Sequence, residues 1–485
     1  GSYGVESAAR RYFNTSASSL RLAQSATLAA VIRSPGRYSP INAPDEVVAR
    51  RDLVLEKMRE QGFITGEEER AARGEALEVA QPSDVPAVAP YFVEYVKQQL
   101  IEALGADAVF EGGLRVYTTL DPVLQASAER AGASILGRRG DPEYALMSID
   151  YTTGHIVAMI GGRDFKTNQF NLAVQGKRQP GSAFKPFVLA RALEEGVKPD
   201  QMFDASPYSV KVKDEIWNVR NYENQFAAGA MTLRAATNWS VNCVYARLMM
   251  QVGAEDVVDA ARRMGIVSEI DPDPAIALGG LSKGVSPMEM ASAFGTIANG
   301  GIHTPPVGIQ RVTDGDGTVV YEPRGAPIKA LDKSVALAES LMLHDVVESG
   351  TGTAARIPGV WAAGKTGTTQ SYRDAWFVGY AESLVTSVWV GYREGQVDMV
   401  NVHGIKVTGG SFPAQLWRSY MQTAIVHQRS PVTPGASPSS EAVPTGTVQV
   451  SICPDSMLLA NKRCLAPVSI HLDSGLVPSS VCGRH

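Results

Sequence analysis

The chain has 485 residues, 44% hydrophobic, 20% charged and 7% aromatic, a globular composition at a length that implies two or more domains. Forty-five lysines and arginines stand against fifty aspartates and glutamates, a formal net charge of −5 that excludes a basic nucleic-acid binder. No run approaches the roughly 18 apolar residues of a membrane-spanning helix; the best, Leu20 to Ile32, is broken by Arg21, Gln24 and Ser25.

The chain opens Gly1-Ser2-Tyr3-Gly4, with no initiator Met, basic start or apolar core, so it is expected to be a fragment whose targeting segment lies upstream. Leu20, Ala23, Leu28, Val31 and Ile32 fall at helical spacing, and Ser34-Pro35-Gly36 stops that element. A second helix is expected from Val47 to Gln61, with Leu53, Val54 and Met58 on one face, and Thr65 to Glu68 resembles a helix start. The basic pairs Arg10-Arg11, Arg50-Arg51 and Arg262-Arg263 read as solvated helix faces. The Pro-containing stretch from Gln81 to Pro90 marks a boundary, followed by a helix from Tyr91 to Leu104 and a strand from Leu114 to Leu120.

From Tyr144 the organisation changes. Ala145 to Ile149 and His155 to Ile160 are short apolar runs around the turn Tyr151-Thr152-Thr153-Gly154, which predicts a hairpin. Residues 230 to 300 read as largely helical. Asp314-Gly315-Asp316-Gly317 joins two β-rich runs, Gly308 to Thr313 and Thr318 to Glu322. Ala375 to Tyr380 and Leu384 to Tyr392 form a late strand pair. Strands early, helices in the middle and strands late predict an α+β domain whose antiparallel sheet collects both ends of the sequence. Residues 429–447, with four Pro and four Ser, read as a linker, and 448–485 as a separate cysteine-containing tail.

Cys243, alone in an apolar stretch, reads as an inert core residue. Cys453, Cys464 and Cys482 crowd into the last 33 residues, which suggests an oxidising compartment with one disulfide and one thiol left over. Cys453 and Cys464 enclose ten residues, a loop whose closure stabilises by roughly 3 kcal/mol, so this pair is the expected disulfide. A metal site drawing on His471 or His485 lacks the C-x-x-C spacing, and no metal is expected.

Three motifs carry chemistry. Ser182-Ala183-Phe184-Lys185 follows the turn Gln179-Pro180-Gly181 and opens an apolar run, placing Ser and Lys on one face of a first helical turn. A serine hydroxyl needs a base to become a nucleophile, and a lysine serves only if burial or neighbouring cations lower its pKa. Ser240-Val241-Asn242 lies in the helical stretch from Trp239 to Met250, with a hydroxyl able to relay a proton and an amide able to bind a peptide group. Lys365-Thr366-Gly367-Thr368 precedes the late strand pair; a lysine on a strand edge beside a glycine suits a carboxylate. Singly, each also fits a plainer role: a chance match, a helix cap, a β-turn. Together they are unique in the chain and stand in the order expected of active-site serine acyltransferases with S-x-x-K, S-x-N and K-T-G.

On these motifs the sequence resembles a class A (bifunctional) penicillin-binding protein. Arg178 to Pro186 resembles the family's nucleophile segment. Leu278-Gly279-Gly280, Ala298-Asn299-Gly300-Gly301 and Asp374 to Gly379 are similar to further family segments, and Thr118 to Pro122 to its linker. Tyr3 to Ala9 and Arg50 to Leu55 resemble the closing motifs of the glycosyltransferase domain. The E-D-x-x-F and Q-Q motifs of that domain are absent, and Glu6, Glu46 and Glu56 do not stand in them, so glycosyl transfer is not expected of this fragment. The resemblance divides the chain into a glycosyltransferase remnant (1–78), a linker domain (79–142), a transpeptidase domain of the penicillin-binding/β-lactamase-like fold (143–428), the Pro/Ser linker and the tail.

The resemblance implies acyl transfer at the D-Ala-D-Ala end of a peptidoglycan stem peptide, with β-lactams as inhibitors and a neighbouring stem-peptide amine as acceptor. Ser182 would be the nucleophile and Lys185 its base. Ser240, helped by Lys365, would pass a proton to the departing D-Ala. Thr366 and Thr368 would hold the substrate carboxylate beside Gly367, Asn242 the peptide amide, and the N–H groups of Ser182 and Thr368 the oxyanion. No cofactor is implied. The location implied is the extracytoplasmic side of a bacterial cell membrane, reached through an upstream anchor. A β-lactamase is disfavoured because no glutamate between Ser240 and Lys365 stands in an E-x-x-x-N context. A D,D-carboxypeptidase shares the motifs and stays open. A non-catalytic cell-wall sensor would have to keep the nucleophile and both lysines idle.

Overall fold

Tyr144 to Ile149 are six consecutive buried residues in the strand Glu143–Asp150 (β1), and a strand buried on both faces needs a covering layer on each. The computed structural model supplies both. It describes residues 4–35, 37–80, 88–226, 228–323, 325–395, 397–429, 447–453, 459–464, 467–473 and 481–483. β1 pairs with Ile156–Ile160 (β2) in the expected hairpin, and the turn is held by the Asp150 carboxylate, which accepts from the Thr152 hydroxyl at 2.6 Å and amide at 3.0 Å. Ala363–Thr368 (β3), Asp374–Ala381 (β4) and Leu384–Gly391 (β5) complete an antiparallel sheet in the order β3-β4-β5-β1-β2. The sheet thus collects both ends of the domain sequence, and β3 is left on an edge.

Side-chain alternation sorts the two layers. Leu384, Val388 and Val390 of β5 join a core with Leu124, Ala128 and Ala131 of helix Pro122–Ile135 (α1) and with Trp417, Tyr420 and Met421 of a C-terminal helix over Phe412–Arg429. Val385, one residue out of phase, faces Gly295 of a helix over Pro287–Ala298 on the other side. The middle of the chain is helical, as expected: Lys185–Glu194 (α2), Leu233–Asn238 (α3), Asn242–Val252 (α4) and Ala254–Met264 (α5) precede Pro287–Ala298 (α6), Lys333–Glu348 (α7) and Phe412–Arg429 (α8). Cys243 is fully buried in α4 with its thiol 3.4 Å from the Val219 carbonyl, an inert core position.

The N-terminus of α6 carries a capping box, Ser286 with Glu289. Glu289, 3% exposed, also accepts from Lys177 Nζ at 2.7 Å and from the Ser268 amide at 2.6 Å. Burial opposes its charge, yet the Lys177, Ser268 and Ser286 hydrogen bonds win and hold its pKa at about 2. A depressed carboxylate pKa adds stability above its unfolded value that is lost as pH falls through the folded one, here from about 4.5 towards 2. Glu289→Gln is therefore expected to lower unfolding stability by about 2 kcal/mol at neutral pH and to flatten the acid limb of the pH–stability curve. Chemical denaturation at several pH values checks this, and an unchanged acid limb would remove Glu289 from the account.

The chain divides into two units: residues 1–88, 95–116 and 311–321 in one, and 89–94, 117–310 and 322–485 in the other. The sheet and its helices belong to the second. Of the expected linker domain 79–142, residues 95–116 fall in the first unit and 117–142 in the second, where α1 packs its apolar face in the core of the sheet. In the first unit, helices Val5–Phe13, Leu22–Ile32, Pro44–Glu60 and Gly66–Gly74 form as expected. The fully buried stripe of Pro44–Glu60 is Val47, Arg51 and Leu55; of the expected face Val54 packs against the core while Leu53 is exposed. Arg51 is 2% exposed and donates to the carbonyls of Arg73 and Glu75 at 3.0 and 2.9 Å, capping the end of the next helix. Reading Arg50-Arg51 as a solvated face fails at Arg51, since a guanidinium with its donors satisfied is a tolerable core residue. The runs around Asp314 to Gly317 pair as expected, with Thr313 opposite Val319. No helix among the described residues is long and apolar enough to cross a membrane.

Most of the 429–447 linker lies outside the described residues. In the tail, Thr447–Ile452 pairs with Val468–Asp473. Cys453 and Cys464, the expected disulfide pair, lie with their sulfurs within 4.8 Å of one another and of Cys482. Bridges from Leu459 to both Ile452 and Val481 bring Cys482 to the same place, so the short loop gains no precedence over the third cysteine. His485 lies outside the described residues, and of His471 only its place in the strand is described.

Candidate active site

Pro180-Gly181-Ser182 is a tight turn because Gly181 takes φ +53°, which a side chain resists. The turn continues as a 3-10 helix over Gly181–Phe184 and runs directly into α2, so Ser182 sits just before the α-helix rather than in its first turn. β3 lies against this turn with no room between the backbones. A Cβ on Gly367 would meet the Pro180 carbonyl oxygen at 2.3 Å, and one on Gly181 would meet the Thr368 carbonyl oxygen at 2.7 Å. The two glycines let the Ser182 turn and the Lys365–Thr368 edge share one cleft.

Ser240 does not lie in a helix, contrary to the sequence reading. It occupies the link between α3 and α4 with φ +55°, a strained region for a residue with a side chain. The strain aims its hydroxyl between two lysines: Lys365 Nζ donates to it at 2.8 Å and Lys185 Nζ stands at 3.2 Å. Lys185 also donates to the Ser240 carbonyl at 2.6 Å and to Asn242 Oδ1 at 2.8 Å. Lys365 also donates to the Thr366 carbonyl at 3.1 Å.

Both ammonium groups are fully buried, with neither facing a carboxylate at hydrogen-bond distance. Burial therefore favours their neutral forms. It brings Lys365 down to about 7, and burial together with the Lys365 charge brings Lys185 well below the ordinary lysine value. Two amines with lowered pKa values on either side of one hydroxyl are an arrangement suited to proton transfer.

Among the described residues the Ser182 hydroxyl has no hydrogen-bond partner, and Lys185 commits its three donors to Ser240 and Asn242. Lys185 thus makes no hydrogen bond to Ser182, the partner expected from the S-x-x-K spacing. The Asn242 amide spends one N–H on the Arg220 carbonyl at 3.1 Å and keeps a second for a ligand. The Thr366 hydroxyl pairs with that of Thr351 at 2.7 Å, and the Thr368 oxygen accepts from the Gly409 amide at 3.0 Å, leaving its proton to donate.

Sequence reasoning missed three supports. Tyr245, fully buried on α4, places its ring 5.1 Å from Lys185 Nζ, a cation–π contact. Asn221 accepts from the Cys243 amide at 2.9 Å and fixes the start of α4. Thr351 partners Thr366. None stands in a motif. Tyr222 and Tyr372 meet hydroxyl to hydroxyl at 2.9 Å, joining the segment after Arg220 to the one after β3.

A profile of the penicillin-binding protein transpeptidase domain matches residues 145–398, and a transglycosylase profile matches residues 1–59. Penicillin-binding protein 1A of Aquifex aeolicus is 30% identical over 96% of this chain and 73% of its own length. Penicillin-binding protein 2D of Bacillus subtilis is 28% identical over 99% of this chain and 69% of its own. The PonA1 protein of Mycobacterium tuberculosis, solved in complex with penicillin V, is similar with a TM-score of 0.64 at 30% identity, over 72% of this chain and 96% of that one. Penicillin-binding protein 1A of Haemophilus influenzae shares the fold, with a TM-score of 0.73 at 21% identity over 99% of this chain and 90% of that one. With three acyl-transfer motifs gathered at the edge of an antiparallel sheet, and a transglycosylase segment ahead of them, the chain belongs to the class A penicillin-binding proteins.

Proposed function

We propose that this chain crosslinks peptidoglycan stem peptides as a D,D-transpeptidase, through an ester formed on Ser182. The observation that carries this reading is the Ser240 hydroxyl held between two buried lysines, Lys185 and Lys365, beside the Ser182 turn. Neutral Lys185, giving up one donor contact, takes the Ser182 proton as the oxygen attacks the penultimate D-Ala carbonyl carbon. The oxyanion is received by the N–H groups of Ser182 and Thr368. The peptide C–N bond then breaks, and the leaving nitrogen takes a proton from the Ser240 hydroxyl, which is refilled from the lysine pair. An amine of a second stem peptide attacks the ester, gives its proton back through the same relay, and frees Ser182. Thr366, Thr368 and Lys365 hold the terminal carboxylate, and Asn242 the donor peptide. Such a substrate places the domain on the extracytoplasmic side of the membrane.

Deacylation by water needs a positioned base, and neither buried glutamate between Ser240 and Lys365 offers one. Glu289 is committed to Lys177 and the α6 cap, and Glu339 is fully buried with its pKa raised well above the carboxylate range by burial. A penicillin ester should therefore persist for many minutes to hours. With nitrocefin in excess, absorbance should show one burst equal to the enzyme concentration and then stay flat, while intact mass retains the adduct. Steady turnover at tens per second would assign the site to a β-lactamase instead.

A further inference from the structure

Ten residues separate Cys453 from Cys464 and seventeen separate Cys464 from Cys482, yet their sulfurs all lie within 4.8 Å of one another. All three are buried, at 0%, 9% and 3% exposure. The backbone builds this cluster deliberately. Leu459 bridges to Ile452 on one side and Val481 on the other, and the Cys482 amide donates to the Leu459 carbonyl at 2.7 Å. The Asn461 side chain donates to the Cys482 carbonyl at 2.7 Å, and the Asn461 amide donates to Cys464 Sγ at 3.3 Å. The Asn461 N–H aimed at the sulfur opposes the burial that favours the neutral Cys464 thiol.

A disulfide uses two sulfurs about 2.05 Å apart and leaves the third buried beside them without a role. A tetrahedral zinc ion with Zn–S bonds of about 2.3 Å requires every sulfur pair about 3.8 Å apart, and the three sulfurs, all within 4.8 Å of one another, are near enough to close on one ion with small side-chain shifts. Soft thiolates select zinc over hard cations. The site also has a structural task. Ile452, beside Cys453, packs with Leu337 and Leu341 of α7 and with Trp361, two residues before β3. We propose that Cys453, Cys464 and Cys482 bind one Zn²⁺ as thiolates, releasing three protons, with a fourth donor completing the tetrahedron, and that the ion staples the tail hairpin onto α7.

The full chain, purified with a reductant and no chelator and then dialysed against zinc, should carry one zinc by elemental mass spectrometry. X-ray absorption at the zinc edge should show three sulfur neighbours. Reloading with cobalt should give the thiolate-to-metal charge-transfer bands of a tetrahedral site. Cys464→Ser and Cys482→Ser should each bring the content to none, Cys243→Ser should leave it at one, and penicillin labelling should survive in all three. A chain that takes up no zinc, a Cys482→Ser chain that keeps it, or a disulfide between any two of these cysteines in non-reducing peptide maps of freshly isolated protein would overturn the proposal.

Discussion

Ser182→Ala is expected to abolish covalent labelling by a fluorescent penicillin completely, while the wild-type chain takes one label. The loss is total rather than partial because no neighbour can substitute for the oxygen. The Ser240 hydroxyl already sits between Lys185 and Lys365, and its strained φ of +55° fixes it in the relay position. The substitution removes a single oxygen that has no hydrogen-bond partner among the described residues, so circular dichroism and the thermal midpoint should stay at wild-type values. Persistent labelling of the alanine chain, located by peptide mapping, would transfer the nucleophile to another residue.

Lys185→Arg should lower the rate of acylation by about 10²–10⁴-fold, the range by which a positioned base contributes. The charge is kept, but arginine does not give up its proton in a protein, so the group that receives the Ser182 proton is lost. The pH profile separates this from a packing defect. In the wild type the acylation rate should rise as Lys185 loses its proton. That limb should lie well below 10.5, because burial holds Lys365 at about 7 and lowers Lys185 as well. Lys365→Gln removes the charge that depresses Lys185, so its limb should shift to higher pH as well as fall in amplitude. A Lys185→Arg chain that keeps the wild-type limb would rule out Lys185 as the base. Because the arginine must fit where lysine is fully buried, Lys185→Met serves as the smaller companion, and it should show the same loss of rate.

The sequence alone determined the order of the chemistry and the class of fold. S-x-x-K, S-x-N and K-T-G are local patterns, readable because catalysis demands particular side chains at fixed short spacing. Strands at both ends of a helical middle announced a sheet closed by chain segments more than 200 residues apart, and β5 does pair with β1, Val388 opposite Leu146. The fully buried stripe of Pro44–Glu60 was not legible, because hydrophobic periodicity counts Arg51 as polar. The structure buries it on the carbonyls of Arg73 and Glu75, more than 20 residues away.

Only the tertiary structure decided what each group in the site does with its protons. Sequence placed Ser182 and Lys185 one turn apart, yet Lys185 spends its donors on Ser240 and Asn242, partners 55 and 57 residues distant. The lowered pKa values of the two lysines come from complete burial among elements that close only when β3 docks on the Ser182 turn, a docking that Gly181 and Gly367 permit. The same holds for the tail: three cysteines without a recognisable spacing converge because strand pairing and the Leu459 bridges bring them to one point. Desolvation and convergence are properties of a volume. A sequence lists which groups exist, but the free energy of a charge or a cluster of thiols depends on what surrounds it in three dimensions, and distant chain segments fix that only when they pack.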